Sequence, residues 1–470
     1  MTALARCRTE PAHWIALVIG LCAGFVALAP TPWHMLAVMA VAAVLPAAWW
    51  VLCASHRWLM LLFFVLLLTP PLPVELGGSG PHIGVPVAVF GLFIGLLRAR
   101  EWHAPKCLLP LAFAAFMAVL TGSIAFALLY SGPVIAAASM ARVVLLSISL
   151  YVFLYTYNGP RTLGSDPLRE ARYLFLAALA GALFACVDFY YQFPAPAGYA
   201  QQFVWLTDGV FRRAQGLFYD ASTLGNFCVF FLVMILAALV RPREQAPCSR
   251  VLLGLGGVVF SAALILSYSR GSLLGLLVAI LTLLVTVRVR IWRTLGAAAA
   301  CLTVAALIAG ATMPALSDMY WLRVRGSFEY IWSSPDGILS GRLTSWGTLL
   351  DFLAREPWHA ILGIGYKTLP YSDIAGQSVI ADNAYLGLLV ETGILGLTAF
   401  IILNAMLLRT AFHAARSSRP RAAFFGTWIF CFWTGQLVQM LSGDLFTYWR
   451  VLPIYFWVLA TAAREAGGKA

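Results

Sequence analysis

Three arginines and one aspartate are the residues of this sequence best placed to do chemistry. Arg213 lies in Asp208-Gly-Val-Phe-Arg-Arg-Ala-Gln-Gly-Leu-Phe-Tyr-Asp220, Arg270 in Ser267-Tyr-Ser-Arg-Gly-Ser272, and Arg342 in Ser340-Gly-Arg-Leu-Thr-Ser-Trp346. Guanidinium forks match phosphate oxygens two at a time, so such a set reads as a site for a polyanion. Interfacial anchoring and ion pairing is the plainer reading of the same residues. Group transfer away from a diphosphate needs the departing charge met, which fixed arginines can do without a metal. It also needs a base within reach of the attacking hydroxyl. Asp382, in Ala381-Asp-Asn-Ala-Tyr-Leu386, is the first choice for that base, and an N-cap just before an apolar helix is its structural alternative.

His359, in Glu356-Pro-Trp-His-Ala-Ile-Leu-Gly-Ile-Gly365, is the second candidate base, with a structural role as its alternative. Gly363 and Gly365 bracket a sharp, close-packed turn. No strand precedes them, so they do not make a nucleotide loop. Glu391 follows Asp382 by about 900° of helical rotation and therefore faces the opposite side. It reads as a buried hydrogen-bonding group and not as half of a carboxylate dyad.

These residues must be positioned by membrane helices. The chain of 470 residues is 61% hydrophobic and 11% charged, with a mean hydropathy of +0.86, which excludes an ordinary soluble domain. Apolar runs near the ~20 residues that cross the hydrocarbon core predict about fourteen spans. They fall at roughly 13–29, 33–54, 57–75, 82–98, 107–131, 134–157, 171–194, 222–241, 250–268, 271–288, 292–314, 384–410, 420–442 and 447–463. The first resembles a signal peptide at Ala27-Leu-Ala, but the many spans that follow favour a retained helix. The expected fold is therefore an all-α polytopic membrane protein. It has eleven spans within 1–314, one long loop at 315–383 and three spans within 384–470.

The net charge of +12 would suit a nucleic-acid partner in a soluble chain, but here it follows membrane topology. Placing the N-terminus inside makes every inner connection basic, for example at Arg98 and Arg100, or Arg288, Arg290 and Arg293. Both termini are then cytoplasmic, and 315–383 faces the extracytoplasmic side. Arg212, Arg213, Arg270, Arg323, Arg325, Arg342, Arg355 and Lys367 are the exceptions, and they gather on that outer side. Deeper in the spans, Arg142 and Asp188 fall at similar depths on adjacent antiparallel helices, which predicts a buried ion pair. Alternatively, Arg142 helps to bind a lipid-linked phosphate. Leu343, Trp346, Leu349, Leu350 and Leu353 recur at helical spacing over Arg342–Glu356, an amphipathic helix with Ser340 as its N-cap. It is expected at the outer interface, as a shelf over a lipid-fed cavity. The nine cysteines are scattered without CxxC spacing, and neither a metal site nor another cofactor is expected.

Taken in order, four pieces resemble the O-antigen ligase and polymerase superfamily of bacterial surface-polysaccharide assembly. They are Arg213 to Asp220, the Ser-Arg270-Gly turn, Ser340 to Trp346 with Pro357 and Gly363-Ile-Gly, and Asp382-Asn383-Ala-Tyr-Leu with Glu391-Thr-Gly-Ile-Leu-Gly396. Together they cover roughly 205–400. The resemblance implies a GT-C-like glycosyltransferase of the bacterial inner membrane, using undecaprenyl-diphosphate-linked oligosaccharide at a periplasm-facing site. It implies that Arg213 and Arg270 hold the diphosphate, with Asp220, Asn383 and Glu391 in support. Ligases of the family, which use lipid A-core as acceptor, typically carry His where this chain has Asp382. That difference tilts the expectation towards a polymerase with a glycan acceptor, the ligase standing close behind. A flippase for lipid-linked sugars is the reading from another class. Paired repeats with broken helices would favour it, and the sequence shows none.

Overall fold

The computed structural model describes residues 56–72, 82–102, 107–159, 166–194, 202–206, 209–287, 341–373, 376 and 378–467, together with isolated residues elsewhere. The chain divides into a small unit, Met1–Leu61 with Thr162–Gly164, and a large one, Leu62–Arg161 with Ser165–Ala470. The small unit contains few described residues, and the account below concerns the large one. The expected spans at 13–29, 33–54 and 292–314 lie largely outside the described residues.

Each of the other expected spans coincides with a helix. These are α1 (Arg57–Leu68), α2 (Gly84–Leu97), α3 (Leu109–Ser131), α4 (Pro133–Asn158), α5 (Pro167–Tyr191), α6 (Ala221–Leu239), α7 (Arg250–Leu266) and α8 (Arg270–Thr286). After the polar excursion, with α9 (Arg342–Arg355) and α10 (Trp358–Leu362), come α11 (Ala384–Ala415), α12 (Pro420–Gln439) and α13 (Leu452–Gly467). Five of them, α3, α4, α5, α6 and α11, are long and apolar enough to cross a membrane. Apolar side chains such as Phe93, Leu111, Leu129, Val134, Val251, Val285 and Ile401 remain exposed on these helices. Such continuous apolar surface has lipid as its natural solvent. The structure is thus a multi-helix membrane protein.

Helix α6 is apolar on every face, and its residues from Thr223 to Ala238 are all buried. A helix of that pattern belongs at the centre of a bundle. It packs against α7, α8 and α12, while α12 also packs on α8, α11 and α13. Trp428 donates its indole N–H to the Phe230 carbonyl at 2.8 Å, and the two rings meet at 4.5 Å.

Among the described residues, one element departs from the all-α expectation. β1 (Phe203–Leu206) and β2 (Gly209–Arg212) pair antiparallel, with Phe203 opposite Arg212 and Leu206 opposite Gly209. A signal for it was present in the sequence. Asp208-Gly209 between two apolar and aromatic runs is a turn signal, and the register sets Gly209 at the first position of β2.

Helix α11 is two helices in series, broken at Gly393 (φ +68°). A break inside an apolar bundle strands carbonyls that need donors. Ile364 N–H donates to Val390 O at 3.1 Å, and Gly365 N–H donates to Glu391 O at 2.8 Å. The Gly363-Ile-Gly365 turn thereby plugs the gap. Gly365 has φ +114°, and a Cβ there would lie 2.5 Å from the Ala127 backbone. Gly365→Val should therefore unseat the plug, with a loss of stability of at least ~3 kcal/mol by thermal unfolding in detergent. Unfolding at the wild-type temperature would show that the turn is free to move.

Candidate functional site

Arg213, Arg270 and Arg342, which are far apart in sequence, line one cavity of about 160 Å³. Each is placed by a different local device. Side chains of successive residues leaving a strand point to opposite sides. Arg212 turns inward, where it meets Asp188 at 2.7 Å with both side chains 5% exposed. Its neighbour Arg213 turns towards the cavity and is steadied by Nε donating to Ser267 O at 2.8 Å. Arg270 is the first residue of α8, just after Ser269, whose hydroxyl caps Ser272 N–H. Arg342 is the first residue of α9, after Gly341 in the left-handed region (φ +78°). The N-cap is thus Gly341, without a side-chain cap, and not Ser340, which lies outside the described residues.

Three helices therefore begin at this cavity, since Ser222 in the first turn of α6 also lines it. Helix N-termini carry partial positive charge and unpaired N–H groups, so they add to the three guanidinium groups. The remaining wall comes from Phe203, Tyr268, Gly271, Gln439, Ser442, Gly443 and Tyr448. Sequence reading missed the last four. Gln436 and Gln439, set three apart at the end of an apolar span, were the available signal.

Asp382 meets Arg342 at 3.4 Å and is half-exposed. The N-cap alternative for Asp382 fails. Asn383 is the cap of α11, its Oδ1 accepting from Tyr385 N–H at 3.0 Å and Leu386 N–H at 3.1 Å. Asp382 itself has φ +43°, a conformation that few non-glycine residues adopt. The neighbouring Ala381 carbonyl accepts from the Trp346 indole at 2.8 Å, tying α9 to the start of α11. The Arg342 atom that meets Asp382 is Nε, which faces Oδ2 as an ion pair without a well-aligned hydrogen bond.

The other candidates lie elsewhere. His359 stacks on Phe352 (5.2 Å between rings) and meets Tyr130 edge-on at 5.1 Å. It is not among the residues that line the arginine cavity. Asp220 caps α6, accepting from Thr223 N–H at 2.7 Å. Glu391 is buried, and its Oε1 accepts from Leu369 N–H at 3.4 Å. Arg142 donates to Lys367 O at 3.0 Å and Tyr371 Oη at 2.8 Å. The expected Arg142–Asp188 pair is thus not formed, because Asp188 takes Arg212 from the hairpin. Lys367 forms an ion pair with Asp444. Burial pushes its ammonium down to about 8, and Arg142 adds to the fall while Glu391 and Asp382 oppose it.

Helix α9 packs one apolar side against protein. Leu349 and Phe352 are buried against Ile364, Leu369, Val379 and Val390, with Leu353 packed beside them. Leu343 and Leu350 remain exposed. Among the described residues, no cluster of three or more His, Cys, Asp or Glu side chains is arranged to hold a metal.

A polytopic helical membrane protein with an arginine-lined cavity at the start of three helices is the class that this geometry defines. Residues 255–401, about a third of the chain, match the family model described as O-antigen ligase. The match takes in Arg270, Arg342 and Asp382, and leaves Arg213, Gln439 and Tyr448 outside it. No curated protein matches the chain.

Proposed function

We propose that the protein is a membrane glycosyltransferase that moves a glycan from undecaprenyl diphosphate to an acceptor hydroxyl. The reaction faces the periplasm, in an inner-membrane protein of about fourteen spans with both termini in the cytoplasm. The observation that carries this reading is the convergence of Arg213, Arg270 and Arg342 on one cavity, with Asp382 bound to the third of them. The acceptor oxygen attacks the anomeric carbon, and its proton passes to Asp382. The bond to the diphosphate breaks, and its electron pair stays on the phosphate oxygen, where the arginines meet the growing charge. No metal takes part in this scheme.

We favour polymerisation of repeat units, because Asp382 stands where ligases typically carry His. The family description favours the ligase reading, with lipid A-core as the acceptor. Purified protein in proteoliposomes, given a polyprenyl-diphosphate oligosaccharide alone, distinguishes them. A ladder of products on a gel is expected, and Asp382→Asn should reduce its rate by ~10²–10⁴-fold. Product only after lipid A-core is added makes the protein a ligase. Lipid crossing to the other leaflet without any transfer makes it a flippase.

A further inference from the structure

Arg142 lies about 14 Å along α4 from Pro133, well inside a helix long and apolar enough to cross a membrane. It is half-buried, and beside it Val134, Ala137, Ala138, Ala141 and Val144 form an exposed apolar stripe, the kind of surface that faces lipid. An ionisable group in that setting calls for a counter-charge. Among the described residues no carboxylate pairs with this guanidinium. Asp188 is taken by Arg212, Asp382 by Arg342 and Asp444 by Lys367. Glu391 is buried, its Oε1 accepting from Leu369 N–H.

Two partners fix the guanidinium without neutralising it. Nη1 donates to Lys367 O at 3.0 Å and Nη2 to Tyr371 Oη at 2.8 Å, and the Tyr371 ring lies 4.8 Å from the central carbon. Of its five N–H groups, three are left over. A guanidinium only donates, so the Tyr371 oxygen accepts, and this exposed phenol has its own proton to give. The result is a positive charge with several donors, fixed beside an apolar surface. Phosphate oxygens fit such a fork two at a time, and at a lipid surface phosphate comes as a headgroup. We propose that Arg142 and Tyr371 bind the phosphate of a membrane lipid whose chains lie along the apolar stripe of α4. Arg142, Lys367 and Tyr371 are not among the residues that line the arginine cavity, so this is a second anion site. It does not rest on the role proposed for the first.

Two lipids share this chemistry, a polyprenyl phosphate and an anionic phospholipid. Native mass spectrometry of the full-length protein in detergent counts each of them as it binds. Wild type should retain polyprenyl monophosphate or phosphatidylglycerol at this site, and no diacylglycerol, which lacks the phosphate. Arg142→Gln should weaken retention ~10-fold. Tyr371→Phe, which removes one exposed hydroxyl, should weaken it ~3-fold at an unchanged unfolding temperature. Arg270→Ala should leave this lipid in place. Wild-type retention by folded Arg142→Gln and Tyr371→Phe proteins overturns the proposal, as does no retention by the wild type or a loss seen in Arg270→Ala alone. Preference for the polyprenyl phosphate identifies a substrate lipid, and equal retention of both identifies a bilayer phospholipid. A lipid that depends on Arg142 in a protein that transfers no glycan keeps this inference and sinks the glycosyltransferase reading.

Discussion

Arg270→Ala should slow glycan transfer by ~10²–10³-fold while the protein still folds and inserts. Removing one donor from a developing oxyanion typically costs this much. Of the three arginines, Arg213 is steadied by the Ser267 carbonyl and Arg342 is in contact with Asp382. Arg270 sits at the first position of α8, where the helix N-terminus and the guanidinium act on the same anion. Arg270→Lys should recover part of the rate, as a point charge without the planar fork. Single-turnover rates at saturating lipid donor would measure both variants. Turnover within a few-fold of wild type for Arg270→Ala would remove the cavity as the site of the leaving group.

The largest expected effect on stability is at the buried pair of Asp188 on α5 and Arg212 at the end of β2. Arg212→Met leaves a buried carboxylate without its cation and should cost ~3–5 kcal/mol, read from thermal or denaturant unfolding in mixed micelles. Asp188→Leu should cost a similar amount through the stranded guanidinium. Both changes together should cost much less than the sum, because an apolar pair needs no solvation. The pair also holds the hairpin against α5, and Gln192 Oε1 accepts Arg212 N–H at 2.8 Å in the same place. Arg212→Met should therefore lower activity too, through Arg213. A loss below ~1 kcal/mol would mean that water reaches the pair and that the hairpin is seated by other contacts.

Much of this was legible in the chain. Hydropathy alone located the described long helices, since lipid demands a continuous apolar run and internally satisfied backbone. The distribution of Arg and Lys set Arg213, Arg270 and Arg342 apart from the cations of the other connections. The Gly363-Ile-Gly365 segment was legible as a close-packed turn, but its partner was not, since the gap that it plugs is made by Gly393.

The misreadings share one cause. Arg142 and Asp188 were paired by depth, yet depth says nothing of which other element comes near. The hairpin brought Arg212 to Asp188 first, and Arg142 was left to hold the Lys367 carbonyl and Tyr371. Asp382 was placed at a helix start within one residue, and that one residue decides between a capping carboxylate and one facing Arg342. Gln439 and Tyr448 had no motif at all.

By itself the sequence determined what lipid and local geometry dictate: apolar spans, the close-packed glycine turn and the surplus of cations. Only the tertiary structure decided which cations share a cavity and which acid they meet. Those placements join residues 213, 270, 342 and 382, and proximity over such separations is set by how helices pack and not by any local propensity.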